Sequence, residues 1–259
     1  MYGQNFLIDN NIAHNIVKAA NLTKDDNVLE IGPGKGILTK IILPLVDYLI
    51  CIEIDTKLCK QLEYFFASCA IKNVKIVNYD FLKYCIPDNK KFKIIANLPY
   101  NIGTAIIQKI LPISNWNTAI FMLQKETVLK LTANPDDKNY GYISIFTLYY
   151  SDCTILFNVS AKCFNPSPKS TITSSVIKLT NKFSKPPDPL FFYFIKHVFS
   201  TRRKTILNSI CSFKGLQKQQ VRKILDNLKV DSFLRPNQLS ISDFLKLTEE
   251  IKKYIIPQI

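Results

Sequence analysis

Short apolar runs alternate with stretches of helical spacing along most of the chain. The runs predict strands at 28–31, 48–54, 74–79, 92–96 and 118–123. The intervening spacing predicts helices at 37–46, from an Asp55 cap to Ala70, and at 103–111, 125–132 and 143–150. This alternation predicts an α/β fold with a doubly wound, mostly parallel sheet. Two further runs, 154–159 and 174–179, have no helix between them and predict an antiparallel edge hairpin.

The pattern changes at Ser184-Lys185-Pro186-Pro187-Asp188-Pro189, where prolines predict a stiff linker. Beyond it the chain shows helical periodicity and clustered basic residues, without a series of strands. We therefore predict two domains, residues 1–184 and a small all-helical domain at 185–259.

The longest apolar stretch, 37–54, is broken by Lys40, Asp47 and Glu53, so it predicts a helix followed by a strand and not a membrane span. The chain opens without a basic and apolar leader, and its seven cysteines are scattered. The dispersed cysteines indicate a reducing, cytoplasmic compartment. Without a Cys-x-x-Cys pair, and with only two histidines, a metal site is not expected.

Charge indicates a polyanionic partner. The 259 residues carry a formal net charge of +14, which favours nucleic acid first and an anionic membrane second. Only four of the 34 basic residues are arginines, and Lys, Ile and Asn are abundant. An AT-rich genome produces the same bias, so part of the charge can reflect codon usage.

Glycines and acids mark three successive strand ends. Glu30-Ile31-Gly32-Pro33-Gly34-Lys35-Gly36 follows one strand and opens a helix, which lets a ligand approach the backbone. Glu53 ends the next strand, where a carboxylate can bind both ribose hydroxyls, and Asp80 ends the third, where it can accept from an adenine amino group. Together they predict a nucleoside site. A nicotinamide cofactor is the competing ligand, disfavoured by the Gly-x-Gly-x-Gly spacing.

The turn Asn97-Leu98-Pro99-Tyr100 follows the strand at 92–96 and suits a flat base with an exocyclic amino group. The Asn97 side-chain oxygen and the Leu98 carbonyl can accept hydrogen bonds from the two amino N–H groups, and Tyr100 offers a face for stacking. The same tetrapeptide also makes a good turn after any strand.

Several segments, in this order, make the chain resemble the ribosomal RNA adenine N6,N6-dimethyltransferases. They are Gly3-Gln4-Asn5-Phe6-Leu7, Glu30 to Gly36, Glu53-Ile54-Asp55, Asn97 to Ile102, Met122 to Glu126, Tyr140-Gly141, Phe164-Asn165-Pro166-Ser167-Pro168-Lys169 and Arg202-Arg203-Lys204-Thr205. The resemblance implies a Rossmann-like class I S-adenosylmethionine-dependent methyltransferase fold, with S-adenosylmethionine as donor, S-adenosylhomocysteine as product and an RNA adenine as acceptor.

The resemblance also implies roles for residues. Asn5, Leu7, Gly32 and Gly34 are expected in the donor pocket with Glu53 and Asp80, and Asn97 between donor and acceptor. Phe164 is the candidate for stacking on the second face of the base. The alternative, that Phe164 is only a packed aromatic residue of the core, has equal weight. Arg202, Arg203 and Lys204 are expected to contact RNA phosphates, against the alternative of a solvated helix face.

The Arg202 segment followed by Asn208-Ser209 resembles the small-subunit branch of the family, as does Leu234-Arg235-Pro236-Asn237-Gln238-Leu239-Ser240. That branch dimethylates two adjacent adenines in a hairpin loop near the 3′ end of 16S ribosomal RNA within the immature subunit. Three alternatives stay open: the resistance branch that acts on 23S RNA, a non-catalytic ribosome-assembly factor and a small-molecule N-methyltransferase. A monomer is expected.

Overall fold

Nine strands and ten helices are found in the described residues, which are 5–169, 173–183 and 185–255 of a computed structural model. The strands are β1 (Phe6–Leu7), β2 (Asn27–Ile31), β3 (Tyr48–Glu53), β4 (Val74–Asn78), β5 (Phe92–Asn97), β6 (Trp116–Gln124), β7 (Ser151–Val159), β8 (Phe164–Asn165) and β9 (Ser174–Asn181). The helices are α1 (Asn10–Ala19), α2 (Ile37–Ile42), α3 (Thr56–Ser68), α4 (Gly103–Ile110), α5 (Lys125–Leu131), α6 (Tyr142–Tyr150), α7 (Pro189–Ser200), α8 (Ile206–Cys211), α9 (Lys218–Asn227) and α10 (Ile241–Lys252). Gly3 and Gln4 of the first motif lie outside the described residues.

The main sheet has seven strands in the order β4-β3-β2-β5-β6-β9-β7. The first five in this order are parallel, and β9 lies antiparallel between β6 and β7. The predicted doubly wound sheet and its antiparallel hairpin are confirmed. The strand order reverses between β2 and β5, which makes their carboxyl ends the switch point where such sheets bind ligands.

Burial explains why the parallel strands read as unbroken apolar runs. From Leu49 to Glu53, every residue of β3 is buried, because a central parallel strand is covered on both faces. The edge strand β7 instead mixes buried and exposed positions. Asp55 caps α3 as predicted, since its side chain accepts hydrogen bonds from the backbone N–H groups of Lys57 and Leu58.

Two local predictions need correction. The helix predicted at 37–46 ends at Ile42 and continues as a short 3₁₀ turn, Leu43–Leu45. Pro44 lies in that turn, and a proline has no N–H for the next helical hydrogen bond. In addition, the sequence pattern assigned no element before Val28, where the structure has β1 and α1, the latter capped by Asp9.

The chain divides into two compact units, Met1–Val128 with Tyr150–Phe183, and Leu129–Tyr149 with Ser184–Ile259. We propose these units as the domains, which ends the first domain at residue 183 in place of the predicted 184 and adds residues 129–149 to the second. Within this second unit, the rings of Tyr149 and Phe191 lie 5.6 Å apart, and those of Tyr142 and Phe192 lie 6.2 Å apart. These contacts are why an element close in sequence to the sheet belongs to the helical core.

The core of the second unit is built mainly from α7 to α10. Tyr140 is fully buried there and donates its hydroxyl to the Leu239 carbonyl at 3.1 Å. Burial raises the pKa of this hydroxyl.

In the described part of the chain, no helix is long and apolar enough to cross a membrane.

Candidate active site

A cavity of about 470 Å³ opens at the carboxyl ends of the parallel strands of the first unit. It is lined by the residues that follow β2, β3 and β5, and by the segment after β4. In this sheet Ile31 pairs with Ile52 and with Ala96, so the three strands end at the same level. The cavity therefore occupies the switch point of the sheet.

Three glycines of the turn after β2 have positive φ: Gly32 at +65°, Gly34 at +57° and Gly36 at +78°. At Gly32 an added Cβ would meet no atom within 4 Å, so the backbone here faces open space. At Gly34 it would lie 3.1 Å from a ring carbon of Phe6. The turn thus brings bare backbone to the cavity and leaves room for a ligand over Gly32.

Glu53 joins the glycine turn to the end of β3. Glu53 is 2% exposed, and its carboxylate accepts two backbone hydrogen bonds, from Gly34 N and from Asp55 N, both at 3.0 Å. Each carboxylate oxygen keeps a further lone pair for a ligand hydroxyl. The residue is therefore held in one orientation, as a ribose-binding acid must be.

Asp80 lies beyond β4, where it lines the cavity and caps the turn that follows. Its Oδ1 accepts from Leu82 N at 2.9 Å. The residues directly after the two acids, Ile54 and Phe81, line the same cavity with apolar surface. The arrangement of a carboxylate beside apolar walls suits a flat base that carries an amino group. Sequence reasoning missed Ile54 and Phe81, although an apolar residue after each strand-end acid was the available signal.

The Asn97 turn is closed by backbone hydrogen bonds that leave its proposed acceptors unused. Leu98 N donates to the Met122 carbonyl at 3.1 Å, and Gly103 N donates to the Pro99 carbonyl at 3.0 Å. Within the described part of the chain, neither the Asn97 side chain nor the Leu98 carbonyl takes part in a hydrogen bond with protein. Both residues line the cavity.

Tyr100 is anchored by a residue that the sequence did not single out. Its hydroxyl lies 2.8 Å from Oγ of Ser174, at the start of β9. Ser174 is 1% exposed, whereas Tyr100 is half-buried and lines the cavity. The hydrogen bond fixes one end of the ring and leaves its face available.

The strand pair β1–β8 brings distant residues to the cavity. Leu7 pairs with Phe164, and Ile8 N donates to the Cys163 carbonyl at 2.9 Å. This pairing places Asn5 and Leu7 at the cavity with Phe164, which is only 3% exposed and also packs in the core. Phe6 lies over Gly34, with the Lys35 ammonium 4.9 Å from the centre of its ring.

Glu30 lies beneath the glycine turn and is 1% exposed. Burial raises the pKa of this carboxyl to about 7, although the neighbouring Thr39 and a hydrogen bond from the Cys51 thiol oppose the rise. The nearby carboxylate of Glu53 raises it further. Glu30 therefore changes charge near neutral pH, a property that the motif alone did not predict.

The structure brings together all predicted donor and acceptor residues, and their roles stay predictions. Those that line the cavity are Asn5, Leu7, Gly32, Gly34, Glu53, Asp80, Asn97, Leu98, Pro99, Tyr100 and Phe164. The predicted RNA contacts Arg202, Arg203 and Lys204 belong to the second unit, where all three are exposed in the turn before α8.

The chain is similar to one protein family along nearly its whole length. The family described as "Ribosomal RNA adenine dimethylase" matches residues 1–253. A ribosomal RNA small subunit methyltransferase A from Alkaliphilus metalliredigens is 37% identical, with 96% of this chain and 90% of the relative covered.

Two solved structures are similar over 96% of the chain. A dimethyladenosine transferase from Plasmodium falciparum has a TM-score of 0.84 at 29% identity, with 98% of its chain covered. The 23S rRNA methyltransferase ErmE has a TM-score of 0.73 at 24% identity, with 100% of its chain covered, and this likeness shows the fold alone. The predicted Rossmann-like class I S-adenosylmethionine-dependent methyltransferase fold is confirmed.

Proposed function

The chain belongs to the ribosomal RNA adenine dimethylase family, and we propose that it dimethylates N6 of two adjacent adenines near the 3′ end of 16S ribosomal RNA. The methyl donor is S-adenosylmethionine, which leaves as S-adenosylhomocysteine, and the acceptor is a hairpin loop of the immature small subunit. The observation that carries the proposal is the position of the Asn97 turn. Its unused acceptors share one cavity with the glycine turn and the buried Glu53 carboxylate.

The cavity fits the donor in size and chemistry. About 470 Å³ lies within the range of sites for ligands of this size. Open space over Gly32 would accommodate the methionine part, and the Glu53 carboxylate would accept hydrogen bonds from the two ribose hydroxyls. Asp80 would accept a hydrogen bond from the amino group of the donor's adenine, and Ile54 and Phe81 would offer apolar surface to its ring. Asn5 and Leu7 complete this pocket.

When bound, S-adenosylmethionine supplies a methyl group that is already activated on a sulfonium. The lone pair of an adenine amino nitrogen is delocalised into the ring, so the chain must orient it. Asn97 Oδ1 and the Leu98 carbonyl would accept hydrogen bonds from the two amino N–H groups, which favours a pyramidal nitrogen with its lone pair directed at the methyl carbon. Positioning of this kind supplies several powers of ten in rate. As the C–N bond forms, the bond between that carbon and sulfur breaks, and the methylated nitrogen releases one proton to water.

Aromatic side chains hold the acceptor base after it leaves its stack, which costs least in a loop. Tyr100, anchored by Ser174, offers one face. Phe164, which lines the same cavity although it is only 3% exposed, is proposed for the second face. A base–aromatic stack contributes about 1–3 kcal/mol.

Exposed cations support the RNA partner. Arg202, Arg203 and Lys204 are exposed and are proposed to contact phosphates, although Arg202 already donates one N–H to the Lys138 carbonyl at 3.1 Å. We propose that the enzyme acts in the cytoplasm, because its substrate is ribosomal RNA, and that it acts as a monomer.

The experiment that tests this function supplies labelled S-adenosylmethionine with unmethylated small subunits, with large-subunit RNA, or without RNA. We expect label on two adjacent adenines of 16S RNA. Label on a 23S adenine would instead favour the resistance branch, and label without RNA a small-molecule enzyme. Donor binding without any transfer to RNA would favour a non-catalytic assembly factor.

Asn97→Ala tests the acceptor geometry. We expect methyl transfer to fall by roughly 10²- to 10³-fold, the range for losing one preorganised hydrogen bond in a transition state. Donor affinity, measured by calorimetry, should stay nearly unchanged. Asn101→Ala removes an exposed amide from the same turn and should cost much less. Equal loss of donor binding and transfer in Asn97→Ala would contradict the assigned role.

A further inference from the structure

Phe233, in the loop between α9 and α10, is 81% exposed. Single exposed apolar side chains are common on protein surfaces and need no explanation by themselves. The ring is informative because of how its loop is held and what surrounds it.

The loop around Phe233 is fixed by hydrogen bonds from both sides. Phe233 N donates to Asp231 Oδ1 at 2.9 Å, and Leu234 N donates to the Asp231 carbonyl at 3.2 Å. From the neighbouring helix α8, Ile206 N donates to the Leu234 carbonyl at 2.6 Å. The backbone that carries the exposed ring is therefore already ordered, so little conformational entropy of the loop is lost when a ligand binds.

The same hydrogen bonds place Phe233 beside the basic turn. Ile206 follows the turn of Arg202–Lys204 with only Thr205 between them. Arg202 binds the Lys138 carbonyl, and Asp136 N donates to the Asn237 carbonyl at 2.9 Å. Three loops of the second unit, around residues 137, 203 and 234, therefore meet.

Charges on these loops favour a polyanion. The exposed cations are Lys138, Arg202, Arg203, Lys204 and Arg235. The exposed acids are Asp136, Asp137 and Asp231. Two of the acids accept hydrogen bonds from backbone N–H groups: Asp137 from Asn134 N at 2.8 Å, and Asp231 from Phe233 N. Cations outnumber acids around the ring.

We propose that these loops bind single-stranded RNA, with an unpaired base stacked on Phe233 and adjacent phosphates held by the surrounding cations. This inference rests on the proposed function, since it assigns a second contact to the same RNA. An aromatic ring among guanidinium and ammonium groups is the combination that binds unpaired nucleotides. A paired base is already stacked on its neighbours, so the ring selects a loop, bulge or end.

Phe233→Trp gives a direct readout of the stack. The natural chain has one tryptophan, Trp116, which is fully buried. We expect an RNA hairpin with an unpaired adenine-rich loop to quench the emission of the introduced indole, whereas a blunt duplex of equal length does not. Wild-type emission should not change. If the emission of the Phe233→Trp variant stays constant at a hairpin concentration shown by anisotropy to saturate the protein, the proposal is overturned.

Phe233→Ala measures the contribution to affinity. We expect its Kd for the hairpin to rise by about 5- to 150-fold, the range for removing one base–aromatic stack. Tyr193→Ala is the matched control, because Tyr193 is 58% exposed in the same unit and packs on Phe213, with ring centres 5.5 Å apart. Its Kd should match the wild type.

The outcomes separate this inference from the proposed function. If the wild type binds and methylates RNA while Phe233→Ala keeps the wild-type Kd, the stack is refuted and the function stands. If the wild type neither binds nor methylates RNA, the proposed function itself fails. Phe233→Ala could also bind the hairpin with the wild-type Kd but bind whole small subunits more weakly. That result would indicate that Phe233 contacts a ribosomal protein and would overturn the RNA assignment.

Discussion

The contact between Tyr100 and Ser174 predicts energetic coupling in catalysis. Tyr100→Phe removes one hydroxyl and Ser174→Ala the other, and each breaks the same 2.8 Å hydrogen bond. A hydrogen bond of this kind contributes about 0.5–1.5 kcal/mol net. If it positions the ring for the acceptor base, each single variant should lower kcat/KM by about 2- to 10-fold.

A double-mutant cycle isolates this contact. Either single substitution already breaks the bond. The kcat/KM of the double variant should therefore be no lower than that of the more impaired single variant, which corresponds to a coupling free energy of about 1 kcal/mol. The assay is methyl transfer from labelled donor to unmethylated small subunits. Ser175→Ala is the control, because Ser175 is equally buried and donates instead to Asn158 at 2.7 Å. It should stay within about twofold of the wild type.

Tyr100→Ala should lose more than Tyr100→Phe, because it also removes a stacking face contributing about 1–3 kcal/mol. The reasoning is refuted if the losses of Tyr100→Phe and Ser174→Ala multiply in the double variant. In that case the two hydroxyls act separately. Equal losses in Tyr100→Ala and Tyr100→Phe would exclude stacking.

Three further predictions concern the donor turn and the second unit. Gly34→Ala and Gly215→Ala should each lower the free energy of unfolding by roughly 1–2 kcal/mol, because both glycines have positive φ. Only Gly34→Ala should weaken donor binding, measured by calorimetry, since the added Cβ contacts Phe6 in the donor pocket. The raised pKa of Glu30, about 7 against an ordinary 4.5, means that the folded state holds the proton more tightly. Stability should therefore fall by up to about 3 kcal/mol as pH rises from 5 to 8 in denaturant titrations, and Glu30→Gln should flatten that fall. Neutralising Arg202–Lys204 should reduce the slope of log K for RNA binding against log salt concentration by up to about 2–3. Neutralising three exposed cations of α9 should reduce it less; these are Lys218, Arg222 and Lys223.

Much of the site could be predicted because its residues lie at strand ends. Gly32, Glu53 and Asn97 each end or directly follow a parallel strand, and parallel strands present their carboxyl ends at one edge. The apolar runs that reveal those strands are local signals. Order along the chain was therefore enough to bring these residues together.

The remaining parts of the site depend on contacts between residues distant in sequence. β1 and β8 contain two residues each and are separated by more than 150 positions, so neither has enough length for a periodic pattern. Ser174 is one of several serines and threonines near the start of β9. Only the register of β9 against β6, which pairs Ser174 with Gln124, selects it as the partner of Tyr100.

Dimethylation places a second demand on the Asn97 turn. The first transfer removes one of the two N–H donors, so the monomethylated nitrogen can satisfy only one acceptor. The Leu98 carbonyl is held in place, because its residue donates to Met122 and is 1% exposed. The Asn97 amide is on a side chain that can rotate about two torsions. In the proposed reaction, the fixed carbonyl therefore keeps the remaining N–H, while the movable amide gives space to the first methyl group. If Asn97 and Leu98 have the proposed roles, a backbone acceptor paired with a side-chain acceptor thus allows both transfers in one site.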